Sequence, residues 1–97
     1  MKVRWSRPAH DDLRAILDHL GAENPLAARR LVLRLDGILR RIAQFPEAAP
    51  MVEQRPGVRR IPLVRFPYIL YYKDVAGEAI VLRIRHGAIE SPWEDLD

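Results

Sequence analysis

The sequence contains no cysteine. Disulfide bonds and thiolate metal sites are therefore excluded, and the composition suits a reducing cytoplasm. No long apolar run follows the first residues or occurs later, so the sequence predicts neither a signal peptide nor a membrane span. It also has no phosphate-binding loop, no nucleophile elbow and no paired-histidine metal motif. We therefore expect no cofactor, no metal and no membrane partner.

What is present fits a single domain over residues 1–97. Hydrophobic residues make up 48% and charged residues 30% of the chain, a balance that allows one modest core and argues against disorder. The formal net charge is +3, and arginine supplies most of the positive charge. Such an excess permits acidic-protein or nucleic-acid partners. The C-terminal tail, residues 87–97, is acidic instead and contains Glu90, Glu94, Asp95 and Asp97.

Two apolar stripes predict two helices. The first helix, near Pro8–Leu20, follows Ser6 as its N-cap, and the second, near Pro25–Gln44, follows Asn24. The short link between them predicts an antiparallel helix hairpin. The second stripe is the clearer one and consists of Ala28, Leu31, Val32, Leu35, Ile38, Leu39 and Ile42. The polar face of this helix carries Arg29, Arg30, Arg34, Arg40 and Arg41.

Four further segments show the alternation of apolar and polar residues that is typical of strands. They are Val3–Trp5, Gly57–Val64, Tyr68–Lys73 and Glu78–His86. Pro62 lacks a backbone donor, so its strand is predicted to lie at a sheet edge or to be bulged there. The predicted fold is α+β with the order β-α-α-β-β-β, in which the helix hairpin packs on a mostly antiparallel four-stranded sheet.

Strand alternation divides the last strand into two faces. It predicts that Ile80, Leu82, Ile84 and His86 face the helices, and that Val81, Arg83 and Arg85 face an open side. On that open side the neighbouring strand adds Ile69, Tyr71 and Lys73. Arginine and tyrosine can hold RNA, but they are also enriched at protein interfaces, and we favour a protein partner.

His86 is the histidine that lies among basic residues at a strand end, where a general acid or base would be useful. Its predicted orientation toward the core favours a structural role instead. Trp93, in the tail, is expected to pack back on the domain or to serve at an interface.

Six short motifs follow one another along the chain. They are Val3–Ser6, Ala9–Leu13, Asn24–Ala28, Gly57–Arg59, Pro67–Tyr72 and Leu82–Ala88. In their order and spacing they resemble the RelE/ParE superfamily of toxins from type II toxin–antitoxin modules. The helix start at Asn24 and the hairpin that contains Pro67 are more similar to the ParE, or plasmid-stabilisation, branch than to the RelE branch.

The two branches imply different chemistry. RelE-like members are ribosome-dependent endoribonucleases that use basic residues and a C-terminal tyrosine, or a histidine–tyrosine pair. ParE-like members are described as inhibitors of DNA gyrase without a hydrolytic site. No tyrosine follows Tyr72 here, and Ile89 stands where the family often has arginine. The resemblance therefore implies no catalytic residue. If the chain is an interferase, the resemblance points to Arg59, Arg65, Arg83 and His86.

We thus predict a toxin that inhibits DNA gyrase in the bacterial cytoplasm. It is neutralised there, in a hetero-oligomer, by a cognate antitoxin of the ribbon-helix-helix type whose extended, partly helical segment covers the helix hairpin and sheet. The alternative is a RelE-like mRNA endoribonuclease, and a third reading is a toxin-fold remnant with only an interaction role. Direct nucleic-acid binding is not expected outside a complex. The predicted partner-binding residues are Arg59, Arg60, Arg65, Tyr71, Lys73, Arg83, Arg85 and Trp93.

Overall fold

The computed structural model describes residues 2–89, 91–94 and 96. Its elements are β1 (Lys2–Trp5), α1 (Arg7–Glu23), α2 (Pro25–Gln44), β2 (Val58–Pro62), β3 (Tyr68–Val75) and β4 (Glu78–His86). The sheet has the order β1-β4-β3-β2, with β1 parallel to β4 and the other pairs antiparallel. The predicted fold class and order of elements are confirmed. In the acidic tail, Glu90, Asp95 and Asp97 lie outside the described residues.

Side-chain caps fix the start of both helices. The Ser6 hydroxyl accepts a hydrogen bond from the Ala9 N–H, and the Asn24 side-chain oxygen accepts one from the Ala27 N–H, each at 3.1 Å. Asn24 also ends α1, because its own N–H donates to the Leu20 carbonyl at 2.7 Å. A single residue therefore joins the two helices, and α1 runs to Glu23, beyond its predicted end.

The helices bury their apolar stripes on one face of the sheet. From α2, the buried side chains are Leu31, Leu35, Ile38 and Ile42, all at most 8% exposed. They share a core with Leu70, Tyr72, Val81 and Ile84 of the sheet. The predicted packing of α2 is thus confirmed, although Val32 lies outside the buried stripe and is 46% exposed.

A bulge interrupts the ladder between β3 and β4. Tyr71 pairs with Arg83 and Tyr72 pairs with Val81, so Leu82 is an extra residue without a partner of its own. An extra residue shifts the phase of side-chain alternation on one side of the bulge relative to the other.

This phase shift makes the predicted assignment of the β4 faces wrong in its first half. Val81 lies in the core under the helices together with Ile84. Ile80 and Leu82, which were expected under the helices, pack in a second cluster on the other face. The predicted faces are confirmed only after the bulge, where Ile84 faces the helices.

The loop between β1 and α1 continues the edge of β4 after β1 has ended. The pairing of β1 with β4 stops at Trp5 opposite Val81. From there, the Ser6 N–H donates to the Val81 carbonyl at 2.9 Å, and the Ser6 hydroxyl donates to the Leu82 carbonyl at 2.9 Å. The residue that caps α1 therefore also ties the helix to the sheet.

One turn into α1, Asp12 completes this edge. Its carboxylate accepts from the Ile84 N–H at 3.0 Å and from Nε and Nη2 of Arg83 at 2.7 and 2.8 Å. Only 16% of the Asp12 side chain and 27% of the Arg83 side chain are exposed. A bidentate, partly desolvated pair of this kind fixes geometry as well as contributing free energy.

The opposite edge of the sheet is β2, as Pro62 predicted. The preceding loop covers part of this edge. The Val52 N–H donates to the Val58 carbonyl at 2.8 Å, and the Arg60 N–H donates to the Pro50 carbonyl at 3.0 Å. These bonds leave less of the edge open for strand pairing with another chain.

The β3–β4 hairpin closes through Ala76 and Gly77, which lie between the paired residues Val75 and Glu78. Both have positive φ, 52° and 79°. Two-residue hairpin turns of this kind favour asparagine followed by glycine, because alanine is strained in the left-handed region.

We expect Asp12→Ala to lower the free energy of unfolding by about 2–3 kcal/mol, because it leaves the Ile84 N–H and the Arg83 guanidinium without their acceptor. Asp12→Asn keeps one acceptor oxygen and should lower the free energy of unfolding by less than Asp12→Ala does. Urea denaturation measures both values. The neighbouring Asp11 is exposed, and Asp11→Ala should change stability by less than about 0.5 kcal/mol. Equal losses at the two positions would contradict the role given to Asp12.

We also expect Ala76→Asn to raise the free energy of unfolding by about 0.5–1 kcal/mol, since asparagine tolerates the left-handed region. Ala76→Val should lower it, because a β-branched side chain does not. Thermal and urea unfolding report both changes. If valine and asparagine had the same effect, the strain at this turn would not limit stability.

Candidate functional site

The face of the sheet opposite the helices is closed, so the prediction of an open face was wrong. It carries a cluster formed by Val52, Val58, Tyr71, Leu82 and Leu96, with Ile69, Ile80 and Trp93 packed against it. Tyr71 is only 2% exposed and cannot stack on a base or a partner side chain from this position. Trp93 packs back on the domain, which was one of its two predicted placements.

Basic side chains surround this closed face. Burial raises the pKa of Tyr71, and the nearby charges of Arg60 and Arg85 partly offset that effect. Arg85 is half-buried, and its Nε has no hydrogen-bond partner within the described part of the chain. Lys73 is half-buried opposite Val58. Arg60, Lys73 and Arg85 therefore form a cationic rim, and their role in partner binding stays a prediction.

Two of the arginines proposed for the ribonuclease alternative are engaged inside the domain. Arg59 donates through Nη1 to the carbonyls of Glu47 and Ala49 at 2.9 and 2.7 Å, and so holds the loop that follows α2. Arg83 donates to Asp12. Neither guanidinium is presented to a phosphate in the way that a cleavage site requires.

His86 lies at the end of β4 and is exposed, so the expectation of a core-facing histidine was wrong. It follows Ile84 on the helix-side face, but the strand ends there and the side chain projects past the core. The Ala88 N–H donates to its Nδ1 at 3.0 Å. The Nδ1 atom of His86 is therefore engaged with the backbone of its own turn.

Tyr68 is a neighbour of His86 that the sequence analysis missed. The two residues pair across β3 and β4, and their rings meet edge to face with centroids 5.7 Å apart. Without a bulge, the pairing of Val75 with Glu78 would place Tyr68 opposite Arg85. The extra residue Leu82 shifts the register by one and brings Tyr68 opposite His86.

Three of the arginines that the sequence places on the polar face of the second helix line a basic groove along α2. This α2 groove lies between α2 and the turn that joins β2 to β3. Its walls carry Arg30, Arg34 and Arg41 from the helix and Arg65 from the turn, and its apolar surface includes Leu33 and Val64. Leu33 is 72% exposed and Val64 is 55% exposed. Exposed apolar side chains among arginines are typical of a binding surface.

Within residues 2–89, 91–94 and 96, no group of three or more histidine, aspartate or glutamate side chains is placed to hold a metal ion. Within the same residues, no helix is long and apolar enough to cross a membrane.

Known proteins with similar sequences and structures agree on one superfamily. Residues 3–90 match the model of a family described as the ParE toxin of the type II toxin–antitoxin system parDE. The chain is 36% identical over 87 residues to Toxin RelE2 of Caulobacter vibrioides, covering 90% of this chain and 96% of that protein.

A solved structure described as the chromosomal ParDE toxin–antitoxin system from P. aeruginosa is also similar. Its matching chain superposes with a TM-score of 0.76 at 30% sequence identity, covering 89% of this chain and 95% of that one. This match shares the two helices packed on a four-stranded sheet, and the family model spans most of the sequence. The chain therefore belongs to the ParE toxin family and is the toxin component of a type II toxin–antitoxin system.

Proposed function

We propose that this toxin acts by binding and inhibiting DNA gyrase, without cleaving a substrate. The match to the ParE family model supports this branch of the superfamily. The observation that carries the proposal is that groups needed for RNA cleavage are held in internal contacts. A toxin that only has to bind a conformation of its target needs no such groups.

Cleavage of RNA through its 2′-hydroxyl requires a base, an acid and cations around the phosphorane. Arg83 is paired with Asp12, and Arg59 is bound to two backbone carbonyls. His86 uses Nδ1 to accept from the Ala88 N–H. The side chain proposed as the general base is therefore already bonded to the backbone that follows β4.

The toxin has a cognate antitoxin, as its membership of a type II system implies. We propose that this antitoxin is of the ribbon-helix-helix type and binds in a hetero-oligomer. Toxin, antitoxin and gyrase would then meet in the bacterial cytoplasm.

The alternative function is ribosome-dependent mRNA cleavage. It is favoured by the contact between Tyr68 and His86, which supplies a histidine–tyrosine pair from two strands. It is also favoured by the similarity to a protein named Toxin RelE2. The first argument concerns a single pair of side chains at one end of the sheet, so a substitution in that pair tests the alternative.

We expect the purified toxin to inhibit DNA supercoiling by gyrase and to leave mRNA on programmed ribosomes intact. His86→Asn should inhibit gyrase as well as the unaltered toxin does. Asparagine can still accept from the Ala88 N–H through its side-chain oxygen, but it cannot transfer a proton at neutral pH. The matched control is His10→Asn, which alters an exposed histidine on α1.

The ribonuclease alternative gives the opposite pattern. Ribosome-dependent cuts would appear with the unaltered toxin and the His10 variant. They would fall by about 10²–10⁴-fold with His86→Asn, which is the usual contribution of a general acid or base. That result, with gyrase unaffected, would overturn the proposed function.

A further inference from the structure

We propose that a recess under the loop that follows α2 is a binding site for a small aromatic carboxylate. This loop recess lies between the C-terminal end of α2, the loop of residues 45–50 and β2, and its cavity has a volume of about 210 Å³. Ile42 and Tyr72 are 1% and 0% exposed and form its base, whereas Phe45 is 59% exposed and lies at its mouth. The proposal does not depend on the target of the toxin or on its antitoxin.

The loop over this recess is held in place by side chains from the sheet. The Tyr72 hydroxyl, from β3, donates to the Pro46 carbonyl at 2.8 Å. Arg59, from β2, donates through Nη1 to two further carbonyls of the loop, at 2.9 and 2.7 Å. The recess is therefore formed before a ligand arrives, and a preformed site binds its ligand at a lower entropic cost.

Hydrogen bonds within the domain also occupy the acceptors of this loop. The Phe45 carbonyl accepts from the Ala48 N–H at 3.1 Å, and the Pro50 carbonyl accepts from the Arg60 N–H at 3.0 Å. Together with the bonds described above, they leave the loop few free carbonyl oxygens. A ligand in the recess finds few partners for donors of its own, which favours a group that only accepts hydrogen bonds. An ionised carboxylate is such a group.

Two guanidinium groups line the recess and specify an anion. Arg41 comes from the last turn of α2 and Arg60 from β2, and both side chains are exposed. Neither forms an ion pair with another described residue, and none of the described residues that line the recess is acidic. Arg41 also offsets the partial negative charge at the C-terminal end of its helix. Arg60 lies at the sheet edge and has no such role, so it is the stronger indication of an anionic ligand.

The size and the walls of the recess select an aromatic acid over a bare anion. An apolar cavity of about 150 Å³ takes up benzene, so the recess has room for one ring and a carboxylate. Sites for drug-sized ligands are larger, at about 300–1,000 Å³. A phosphate ion would pair with the two arginines but leave Ile42, Phe45 and Ile61 uncovered. An aromatic acid pairs with the arginines and covers this apolar surface as well.

The recess and the α2 groove share one arginine. Arg41 lines both, whereas Arg60 lines only the recess and Arg34 lines only the groove. An anion that binds through Arg41 alone could therefore lie in either place. Arg60 and Arg34 distinguish the two sites and serve as the test position and its matched control.

The experiment titrates benzoate into the full-length toxin and follows the backbone amides by NMR. We expect a Kd of about 1 mM or below, with shifts at Phe45, Arg60 and Ile61. Arg60→Gln should weaken binding about tenfold, because it removes a charged donor. Arg34→Gln should bind benzoate as the unaltered toxin does. Benzamide, which has the same ring without the charge, should bind weakly and with equal affinity to the unaltered toxin and to Arg60→Gln.

A second variant tests the cavity without changing its charge. Ala48 is exposed and lines the recess, so Ala48→Leu should fill the cavity and prevent benzoate binding while both arginines remain. Urea denaturation of each variant separates loss of the site from loss of the fold. Loss of binding with an unchanged urea midpoint identifies the recess as the site. Benzoate at ten times its Kd should also raise the Tm of the unaltered toxin by about 5 °C or more.

Other results would overturn the proposal. If benzoate at about 10 mM caused no shifts, the recess would not bind this class of ligand. If Arg34→Gln weakened binding and Arg60→Gln did not, the ligand would lie in the α2 groove. If inorganic phosphate bound as tightly as benzoate, the apolar walls would play no part. If a short peptide ending in phenylalanine displaced benzoate at a concentration about a hundredfold lower, the ligand would be the end of a protein chain.

Discussion

The contact on which this toxin depends is the Asp12 carboxylate at the exposed edge of β4. Since β1 ends opposite Val81, the following backbone of β4 is bonded on that side by the Ser6 and Asp12 side chains. Asp12 accepts from the Ile84 N–H and from the Arg83 guanidinium. A side chain of α1 thus provides the acceptor that a longer β1 would otherwise provide. A half-buried carboxylate with several donors is held in one position. The contact therefore ties α1, and through it the helix hairpin, to β4.

The bulge at Leu82 decides where the surfaces for partners can be. By shifting the alternation of β4, it provides apolar residues for both faces of the sheet, and the tail residues Trp93 and Leu96 complete the second cluster. A chain of 97 residues buries a smaller fraction of its surface than a larger domain. Using both sheet faces increases the apolar area that is removed from water. The cost is that neither face of the sheet is left open for a partner.

The sequence predicted the features that depend on neighbouring residues. The caps at Ser6 and Asn24 and the buried stripe of α2 follow from local spacing, and the edge position of β2 follows from Pro62. The bulge was not predictable, because strand patterns contain no signal for one extra residue with an apolar side chain. The pairing of Asp12 with Arg83 joins positions far apart in the sequence. The α2 groove likewise exists only where a helix and a distant turn meet.

The excess of positive charge in this chain does not by itself indicate a nucleic-acid ligand. Arg59 donates to two backbone carbonyls of the same chain, and Arg83 donates to the Asp12 carboxylate. Both are part of the scaffold, and the charge of Arg83 is offset by that of Asp12. The arginines that line α2 lie beside exposed Leu33, so a ligand must satisfy charge and cover apolar area together. The number of arginines is therefore a weaker guide than the contacts of each guanidinium. These contacts favour a protein ligand for this toxin.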